Sequence, residues 1–191
     1  MVGFIDLKGF STISAGKRAH EIADIVRPFL NSSISILTDN NCLIDKTIGD
    51  EIMFVLPQTE TGWVAFFDLF KILRKFREFA ADHEEYKFRI GISFGELFLD
   101  VIDTKNYVEW FVSGEPIIAA KRVMSMPFLS NPNPCIAAIC QPVIRKSDLE
   151  SFCKGIADFE PASWRKKGRT KTVVAKGIGK LSVQIMEPER T

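Results

Sequence analysis

Apolar residues recur along the chain in two spacings, and each spacing predicts a different kind of element. Runs of about four to eight apolar or alternating residues, bounded by turn-forming residues, predict strands. Apolar positions three and four residues apart predict helices. The predicted strands are 2–6, 42–47, 51–56, 88–94, 97–102, 107–113, 135–140, 172–175 and 181–186. The predicted helices are one within 14–37 and those at 61–83, 115–126 and 142–152.

The segment 61–83 shows the clearest helical pattern. Its apolar positions form one face and basic residues such as Lys71 and Arg74 lie opposite, which is typical of a helix packed against a core. The predicted buried face consists of Trp63, Phe66, Phe67, Phe70, Leu73 and Phe76. Elsewhere, Pro28 predicts a kink in the first helix, whereas Pro116 stands in the first turn of its helix, where proline is tolerated.

The predicted elements follow one another in the order β-α-β-β-α-β-β-β-α-β-α-β-β. This order predicts an α+β fold in which helices pack on a mostly antiparallel sheet. No linker-like stretch divides residues 1–191, so we expect a single domain. The basic run 165–171 is interpreted as a solvated loop, because no aromatic residues are interleaved within it and the chain has no net basicity.

Composition narrows the class of protein. Apolar residues make up 46% of the chain and the formal net charge is +1, so no overall field favours nucleic acid or an acidic membrane as a partner. The four cysteines have neither paired nor zinc-type spacing, which favours buried thiols in a reducing compartment. No run of about 18 apolar residues and no leader pattern occurs, so we expect a soluble cytoplasmic protein.

Two carboxylates carry most of the chemical information. Asp6 ends an apolar strand and precedes a Gly-Phe-Ser turn, and Asp50 stands in a tight Gly-Asp turn between two strands. Two strand-end carboxylates side by side form a hard-oxygen site for Mg²⁺ or Mn²⁺. Because such sites hold nucleotide phosphates, the pair points to metal-dependent chemistry on a nucleoside triphosphate. The alternative for Asp50 is a plain turn residue, since Gly-Asp is common in hairpins.

Several segments together resemble the catalytic domain of class III nucleotide cyclases, a family with a ferredoxin-like palm. The matching segments, in the family's order, are 4–11, 46–53, 88–96, 113–124 and 175–180. They read FIDLKGFS, KTIGDEIM, FRIGISFGE, SGEPIIAAKRVM and AKGIGK. The resemblance implies an enzyme that converts a nucleoside triphosphate to a 3′,5′-cyclic nucleotide and pyrophosphate.

The resemblance implies a two-metal site. Asp6 and Asp50 would hold two Mg²⁺ or Mn²⁺ ions, and Ile5 and Leu7, which flank Asp6, are assigned to the same site. One ion would polarise the ribose 3′-oxygen and the other would grip the triphosphate.

The resemblance also implies which groups handle phosphate. Gly9, Phe10 and Ser11 would open a helix, and their backbone amides would cradle the β- and γ-phosphates. Arg122 would stabilise the charge that grows on the α-phosphoryl group, and Lys176 would contact phosphate. From the residues alone, Arg122 is also compatible with a surface helix arginine, and Lys176 with a solvated lysine beside a glycine turn.

In this family the active site is shared between two subunits. Asp6 and Asp50 would serve one site, while Lys46, Phe111 and Arg122 would reach into the partner's site. The resemblance therefore implies a head-to-tail homodimer with two equivalent sites, in which lone chains are inactive. The implied ligand is a nucleoside triphosphate, and neither nucleic acid nor a membrane is expected as a partner.

The base-reading positions depart from the purine cyclases. Phe111 stands where adenylate cyclases usually place an adenine-reading Asp or Thr, and Ile118 stands where they place a ribose-orienting Asn. Lys46 keeps the adenine-reading Lys and is not the Glu expected of guanylate cyclases. One interpretation is a pocket rebuilt for a smaller base, as in the stand-alone pyrimidine cyclases of bacterial antiphage defence (Pycsar type), which make cyclic UMP or cyclic CMP. The other is a divergent adenylate cyclase, and a base reader at Glu109 instead of Phe111 would favour it.

Two further classes stay open. Loss of the Asn position to Ile118 favours an inactive cyclase-homology module that binds nucleotide or a partner. Retention of Asp6, Asp50 and Arg122 argues against that class. The hairpin at 48–52 faintly resembles the signature of diguanylate cyclases, which share the palm, but its first glycine is missing and the Arg122 helix does not fit.

Overall fold

The computed structural model describes residues 1–57, 63–126, 135–141, 154 and 164–188. The helices within them are α1 (Phe10–Ser14), α2 (Ala19–Thr38), α3 (Trp63–Asp82) and α4 (Glu115–Met124). The strands are β1 (Val2–Leu7), β2 (Leu43–Ile48), β3 (Glu51–Val55), β4 (Phe88–Ser93), β5 (Phe98–Thr104), β6 (Tyr107–Ser113), β7 (Cys135–Gln141), β8 (Trp164–Lys166), β9 (Lys171–Ala175) and β10 (Gly179–Pro188). Every strand and helix predicted within these residues is found, with bounds shifted by a few positions.

Strand β1 lies inside the main sheet and carries the first candidate carboxylate. It pairs antiparallel with β3 on one side and with β4 on the other. The strand order is β2-β3-β1-β4-β7-β10-β8, with β9 paired to β10. The β4–β7 pair is parallel, and the other pairs described in this sheet are antiparallel. The prediction of an α+β fold with helices on a mostly antiparallel sheet is confirmed.

Alternate side chains of β1 enter two different cores, because successive residues of a strand point to opposite faces. Ile5 packs into a core to which α2 and α3 contribute, with Phe76 among its members. Phe4 packs into a second core beneath α4, together with Met124. By the same alternation, Asp6 projects to the face that α4 covers.

Helix α4 packs so closely on β4 that only glycine fits at one point of contact. A Cβ atom at Gly91 would lie 2.4 Å from the carbonyl oxygen of Ala120 and 2.6 Å from Cβ of Met124. Heavy atoms at these distances overlap, so a side chain here would push the helix away from the sheet. The close approach fixes α4, and with it the direction of the charged residues near its end.

The helix predicted from the aromatic stripe is confirmed as α3. Leu73 and Phe76 are fully buried, as are the neighbouring Leu69 and Ile72. The other stripe residues lie outside the side chains that the structure describes: Trp63, Phe66, Phe67 and Phe70. No helix in the described part of the chain is long and apolar enough to cross a membrane.

Three details differ from the predictions or lie beyond them. The first helical segment is divided into α1 and α2, and α2 runs on past Pro28 to Thr38. The basic run is not entirely a loop, because Trp164–Lys166 forms strand β8. This strand pairs with the last residues of β10 at the edge of the sheet. The pairing uses backbone hydrogen bonds, which depend little on the pattern of side chains. The helix predicted at 142–152 lies outside the described residues.

Strands β5 and β6 form a separate hairpin rather than extending the main sheet. At its base, Leu99 and Val112 pack against the core beneath α4. From its base to its tip, the hairpin exposes an unusual number of large apolar side chains: Phe98, Val101, Ile102, Tyr107, Val108, Trp110 and Phe111. Exposed apolar surface of this extent marks an interaction surface in soluble proteins.

Candidate active site

A cleft of about 310 Å³ opens where β1 ends and meets the β2–β3 turn. Its lining includes three carboxylates, two cations and the residues that open α1: Asp6, Asp50, Glu51, Arg89, Lys121, Gly9, Phe10 and Ser11. The structure thus brings the predicted metal carboxylates and the predicted phosphate loop to one place. The arrangement follows from sheet register, since β1 and β3 are neighbours and their site ends coincide.

Asp6 is held by an arginine on the neighbouring strand. Arg89 lies directly opposite Asp6 in the β1–β4 register. Its Nε and Nη2 atoms donate hydrogen bonds to Asp6 Oδ2, at 3.1 Å and 2.6 Å. Asp6 is 8% exposed, so this carboxyl group lies in a largely buried place with the guanidinium group directly beside it.

Asp50 is positioned by the tight turn that joins β2 to β3. Gly49, the first turn residue, has a φ of 64°, which glycine adopts without a steric penalty. The turn places the Asp50 side chain against the end of β1, where the backbone N–H of Leu7 donates to Asp50 Oδ2 at 3.1 Å. A hairpin turn and a strand end are thereby joined through one carboxylate.

The carboxyl groups of Asp6 and Asp50 are hydrogen-bonded neighbours, and this contact affects the pKa of Asp50. The pKa of Asp50 is raised from 3.8 to about 7, chiefly by burial and then by the hydrogen bond and the negative charge of Asp6. Two adjacent buried carboxylates repel one another, so one of them retains a proton until a cation replaces it. Oxygen ligands with excess negative charge suit Mg²⁺ or Mn²⁺, so the residues fit the implied metal.

Side chains other than these two contribute little to a metal site. In the part of the chain that the structure describes, no group of three or more His, Cys, Asp or Glu side chains is arranged to hold a metal ion. Mg²⁺ is commonly held by one or two carboxylates together with substrate phosphates and water. The Ile5 side chain is fully buried in the core, so Ile5 and Leu7 can serve as ligands only through their backbone carbonyls.

A second ion pair lies inside the cleft. The ammonium group of Lys121, on α4, donates a hydrogen bond to Glu51 Oε2, on β3. The same ammonium group lies over the ring of Phe4, 5.4 Å from its centroid. Asp6 and Glu51 therefore each have a cation beside them, whereas Asp50 is bonded by the Leu7 amide and by Asp6.

The two predicted base residues lie on neighbouring elements and do not line this cleft. Lys46 Nζ is 3.1 Å from Asp45 Oδ2 and 3.9 Å from Glu109 Oε1. Phe111 is partly exposed on β6, and its ring meets that of Phe98 edge-on with centroids 6.3 Å apart. Strand β6 thus places Glu109, and not Phe111, beside the Lys46 ammonium group.

Arg122 and Lys176 also lie outside the cleft of their own chain. Arg122 is exposed on α4, one residue after Lys121. Lys176 stands in the β9–β10 turn, at the end of the sheet opposite to Asp6. This follows from the pairings, because β4 is antiparallel to β1, β7 is parallel to β4, and β10 is antiparallel to β7.

Three cleft residues were not predicted from the sequence, namely Arg89, Glu51 and Lys121. Arg89 and Glu51 interrupt apolar strands, and the pairing of β1 with β4 and β3 places both on the sheet face of Asp6. A charged residue inside an apolar strand is the sequence signal for such a position, and strand pairing is needed to locate it. The direction of Lys121 depends on how α4 crosses β1 and β4, which the periodicity of one helix does not specify.

This fold and cleft define a nucleotide cyclase catalytic domain of the adenylyl and guanylyl cyclase kind. Residues 1–126 match the family described as adenylate and guanylate cyclase catalytic domain, and the chain belongs to that family. It is 23% identical over 125 residues to the terminal-differentiation-specific adenylate cyclase of Dictyostelium discoideum. That match covers 62% of this chain and only 6% of the relative, so the chain spans a small part of that protein's length.

Solved structures share the fold along the full chain. The adenylyl cyclase CyaB from P. aeruginosa is 20% identical, with a TM-score of 0.70, covering 100% of this chain and 93% of that one. The guanylate cyclase domain of RhGC from Catenaria anguillulae, solved in complex with GTP, is 17% identical, with a TM-score of 0.71, covering 99% and 96%. These neighbours include an adenylyl cyclase and a guanylate cyclase. They establish the fold of this chain and do not show which nucleotide base it accepts.

Proposed function

We propose that this chain is a metal-dependent nucleotide cyclase that acts on a pyrimidine nucleoside triphosphate, UTP or CTP. The reaction is attack of the ribose 3′-oxygen on the α-phosphorus, with loss of the 3′-hydroxyl proton and departure of pyrophosphate. The observation that carries the cyclase part of the proposal is the placement of Asp6 and Asp50 beside the residues that open α1, in one cleft of a cyclase domain.

Two divalent ions, Mg²⁺ or Mn²⁺, would supply charge neutralisation of the triphosphate and a more acidic 3′-hydroxyl. Asp6 and Asp50 would hold them, with the Leu7 and Ile5 carbonyls as further ligands. The chain's own part is to position phosphate, since in-line transfer needs alignment more than covalent help. Arg89, already in the cleft, would turn one of its guanidinium donors from Asp6 to the triphosphate, beside the backbone amides of Gly9–Ser11.

The remaining groups would come from a second copy of the chain in a head-to-tail homodimer. Arg122 would stabilise the α-phosphoryl charge and Lys176 would contact phosphate. Two observations support an active site shared between two chains. Lys176 lies at the end of its own sheet opposite to the cleft, so it cannot reach the site of its own chain. The β5–β6 hairpin exposes apolar surface that a partner would cover. Gel filtration with light scattering measures the dimer, and a chain that stays monomeric while fully active would exclude it.

The pyrimidine assignment rests on the base positions. Phe111 and Ile118 are apolar and exposed, so neither supplies hydrogen bonds to a purine. Antiphage defence follows from the resemblance to the pyrimidine cyclases and belongs to the same proposal. Plaque counts on cells carrying the chain, against cells carrying its Asp50→Asn variant, test the biological role.

A divergent adenylate cyclase is the second candidate, and one contact favours it. The Lys46 ammonium and Glu109 carboxylate lie 3.9 Å apart, a donor beside an acceptor. Adenine presents the complementary acceptor and donor along its N1–N6 edge. Glu109 would then do the work that an Asp or Thr at position 111 does in other adenylate cyclases.

One assay decides between these functions. The purified chain is incubated with Mn²⁺ and each of ATP, GTP, CTP and UTP, and products are identified by mass, with Asp6→Asn as the matched inactive control. Cyclic UMP or cyclic CMP supports the proposal. Cyclic AMP as the sole product replaces it with the second candidate, and no cyclic product from any nucleotide leaves an inactive cyclase-homology module.

A further inference from the structure

Helix α4 ends with two consecutive basic residues that face different surroundings. The Lys121 ammonium group lies in the cleft of its own chain, paired with Glu51, whereas Arg122 is exposed and does not line that cleft. Consecutive residues of an α-helix are separated by about 100° around its axis, so the two side chains cannot face one cleft together. The function proposed above assigns Arg122 to the partner's site and leaves Lys121 without a role.

The two partners of the Lys121–Glu51 ion pair differ in exposure, since the lysine side chain remains accessible to solvent and the glutamate side chain is largely buried. The Lys121 side chain is 46% exposed and that of Glu51 is 11% exposed. An ammonium group has three donors, and the Glu51 contact uses one of them. The Phe4 ring beneath the ammonium group limits where it can move, which keeps its other donors near the cleft.

We propose that Lys121 binds the triphosphate in the site of its own chain, while its link to Glu51 holds the ammonium group in position. This proposal rests on the proposed cyclase function and adds a residue to it. The triphosphate would lie between cations on two elements, Arg89 from β4 and Lys121 from α4, with the metal carboxylates between them. Because α4 also carries Arg122, one short helix would then contribute to two active sites of the dimer.

The test compares Lys121→Met with Lys121→Arg. Loss of one charged contact to phosphate should raise KM for the nucleotide about tenfold and leave kcat within about threefold, because the contact is made before the transition state as well as in it. Arginine should restore KM to within about threefold, since it keeps the charge. Calorimetry with Mn²⁺ and inorganic tripolyphosphate should show the same loss of affinity without any turnover.

A second variant separates phosphate binding from simple neutralisation of Glu51. If Lys121 only compensates a buried charge, Glu51→Gln should make it dispensable, and the double variant Lys121→Met, Glu51→Gln should match Glu51→Gln in KM and tripolyphosphate affinity. That result would overturn the proposal. A defect that persists in the double variant supports it. The matched control is Lys167→Met, which breaks a 2.8 Å ion pair to Glu187 outside the cleft and should leave KM and affinity unchanged.

Measurements on the wild-type chain separate the proposed cyclase function from the proposed role of Lys121. If it neither binds tripolyphosphate with Mn²⁺ nor cyclises any nucleotide, the proposed function fails and the Lys121 assignment fails with it. If it does both, and Lys121→Met behaves as wild type, the Lys121 assignment alone is wrong.

Discussion

Arg89 faces Asp6 across the β1–β4 pair and donates both of its hydrogen bonds to a single carboxylate oxygen, Oδ2. A guanidinium group in this place holds the Asp6 side chain in one orientation. It also places a strong phosphate donor within reach of the metal ligands. The same contact therefore serves the fold and, in the proposed function, the substrate.

We expect Arg89→Met to lower kcat/KM by about a hundredfold or more, because a charged donor to phosphate is lost and Asp6 loses its partner. Arg89→Lys should recover part of that activity, since lysine keeps the charge but lacks the rigid guanidinium group that can bind Asp6 and phosphate together. Steady-state kinetics with circular dichroism as a check of folding makes the measurement. Arg74→Met, on the exposed face of α3, is the control. If Arg89→Met were as active as the control, Arg89 would have no role in the active site.

Asp50 should make the metal-free protein less stable as pH rises. Its pKa is about 7 when folded, against 3.8 ordinarily, so between these values the folded state holds a proton that the unfolded state does not. Stability from this group is therefore fully present below about pH 4, falls as pH rises, and levels off above about pH 7. From pH 5 to pH 8 the free energy of unfolding should fall by about 1 to 3 kcal/mol more for the wild-type chain than for Asp50→Asn.

Urea unfolding in the presence of a chelator, at both pH values and for both chains, measures this difference. Titrating groups remote from the pair are common to the two chains, so their contributions cancel and the difference reports the coupled Asp6–Asp50 pair. Added Mn²⁺ should stabilise the wild-type chain more at pH 8 than at pH 5, because the metal competes with the Asp50 proton. Parallel pH profiles for the wild type and Asp50→Asn would mean that the two carboxyl groups do not share a proton.

The sequence predicted most of the fold because the strands and helices carry strong apolar periodicity. Strand β1 and helix α3 are clear cases, since each buries a continuous face. The short strand β8 was missed because its pairing depends on the backbone of β10 at the sheet edge and not on its own side chains. The separation of the β5–β6 hairpin from the main sheet likewise depends on which strands pair, which periodicity leaves open.

The site was predictable where motif and local structure coincide. Asp6 and Asp50 follow from a strand end and a Gly-Asp turn, and sheet pairing brings them together. The motifs identify Lys46 and Phe111 as candidate base-binding residues but do not show which residues surround them. Their surroundings depend on the β5–β6 hairpin, whose direction cannot be read from the sequence. Lys121 needed the packing of α4, a long-range contact.

Gly91 should be essential for the placement of α4. In Gly91→Ala the added Cβ would meet the Ala120 carbonyl oxygen and Met124, so either the helix or β4 must shift. Overpacking of this kind costs about 2 kcal/mol or more, which thermal or urea unfolding detects. Because α4 carries Arg122, the variant should also lose activity at temperatures where it remains folded. A variant with wild-type stability would show that this contact is looser than the structure indicates.

Mixed dimers should recover activity if the site is shared. Asp6→Asn and Arg122→Ala chains should each be nearly inactive alone. After mixing and exchange, half of the dimers are hybrids with one intact site of two, so about a quarter of wild-type activity should return. The control is a mixture of Asp6→Asn with Asp50→Asn, which damages the same half of each site and should restore nothing. Hybrid dimers that form without activity would contradict a site built across the interface.

Phe111 should influence which base is accepted. If it fills space that a purine needs, Phe111→Thr should open that space, add a hydrogen-bonding group, and raise the ratio of ATP to UTP turnover about tenfold. Competition assays with both nucleotides present and products resolved by mass give the ratio directly. Val108→Thr is the matched control, since it makes the same kind of change at a position on β6 that is 69% exposed and projects from the opposite face of the hairpin. A ratio unchanged by Phe111→Thr but altered by Glu109→Gln would assign base reading to the Lys46–Glu109 pair.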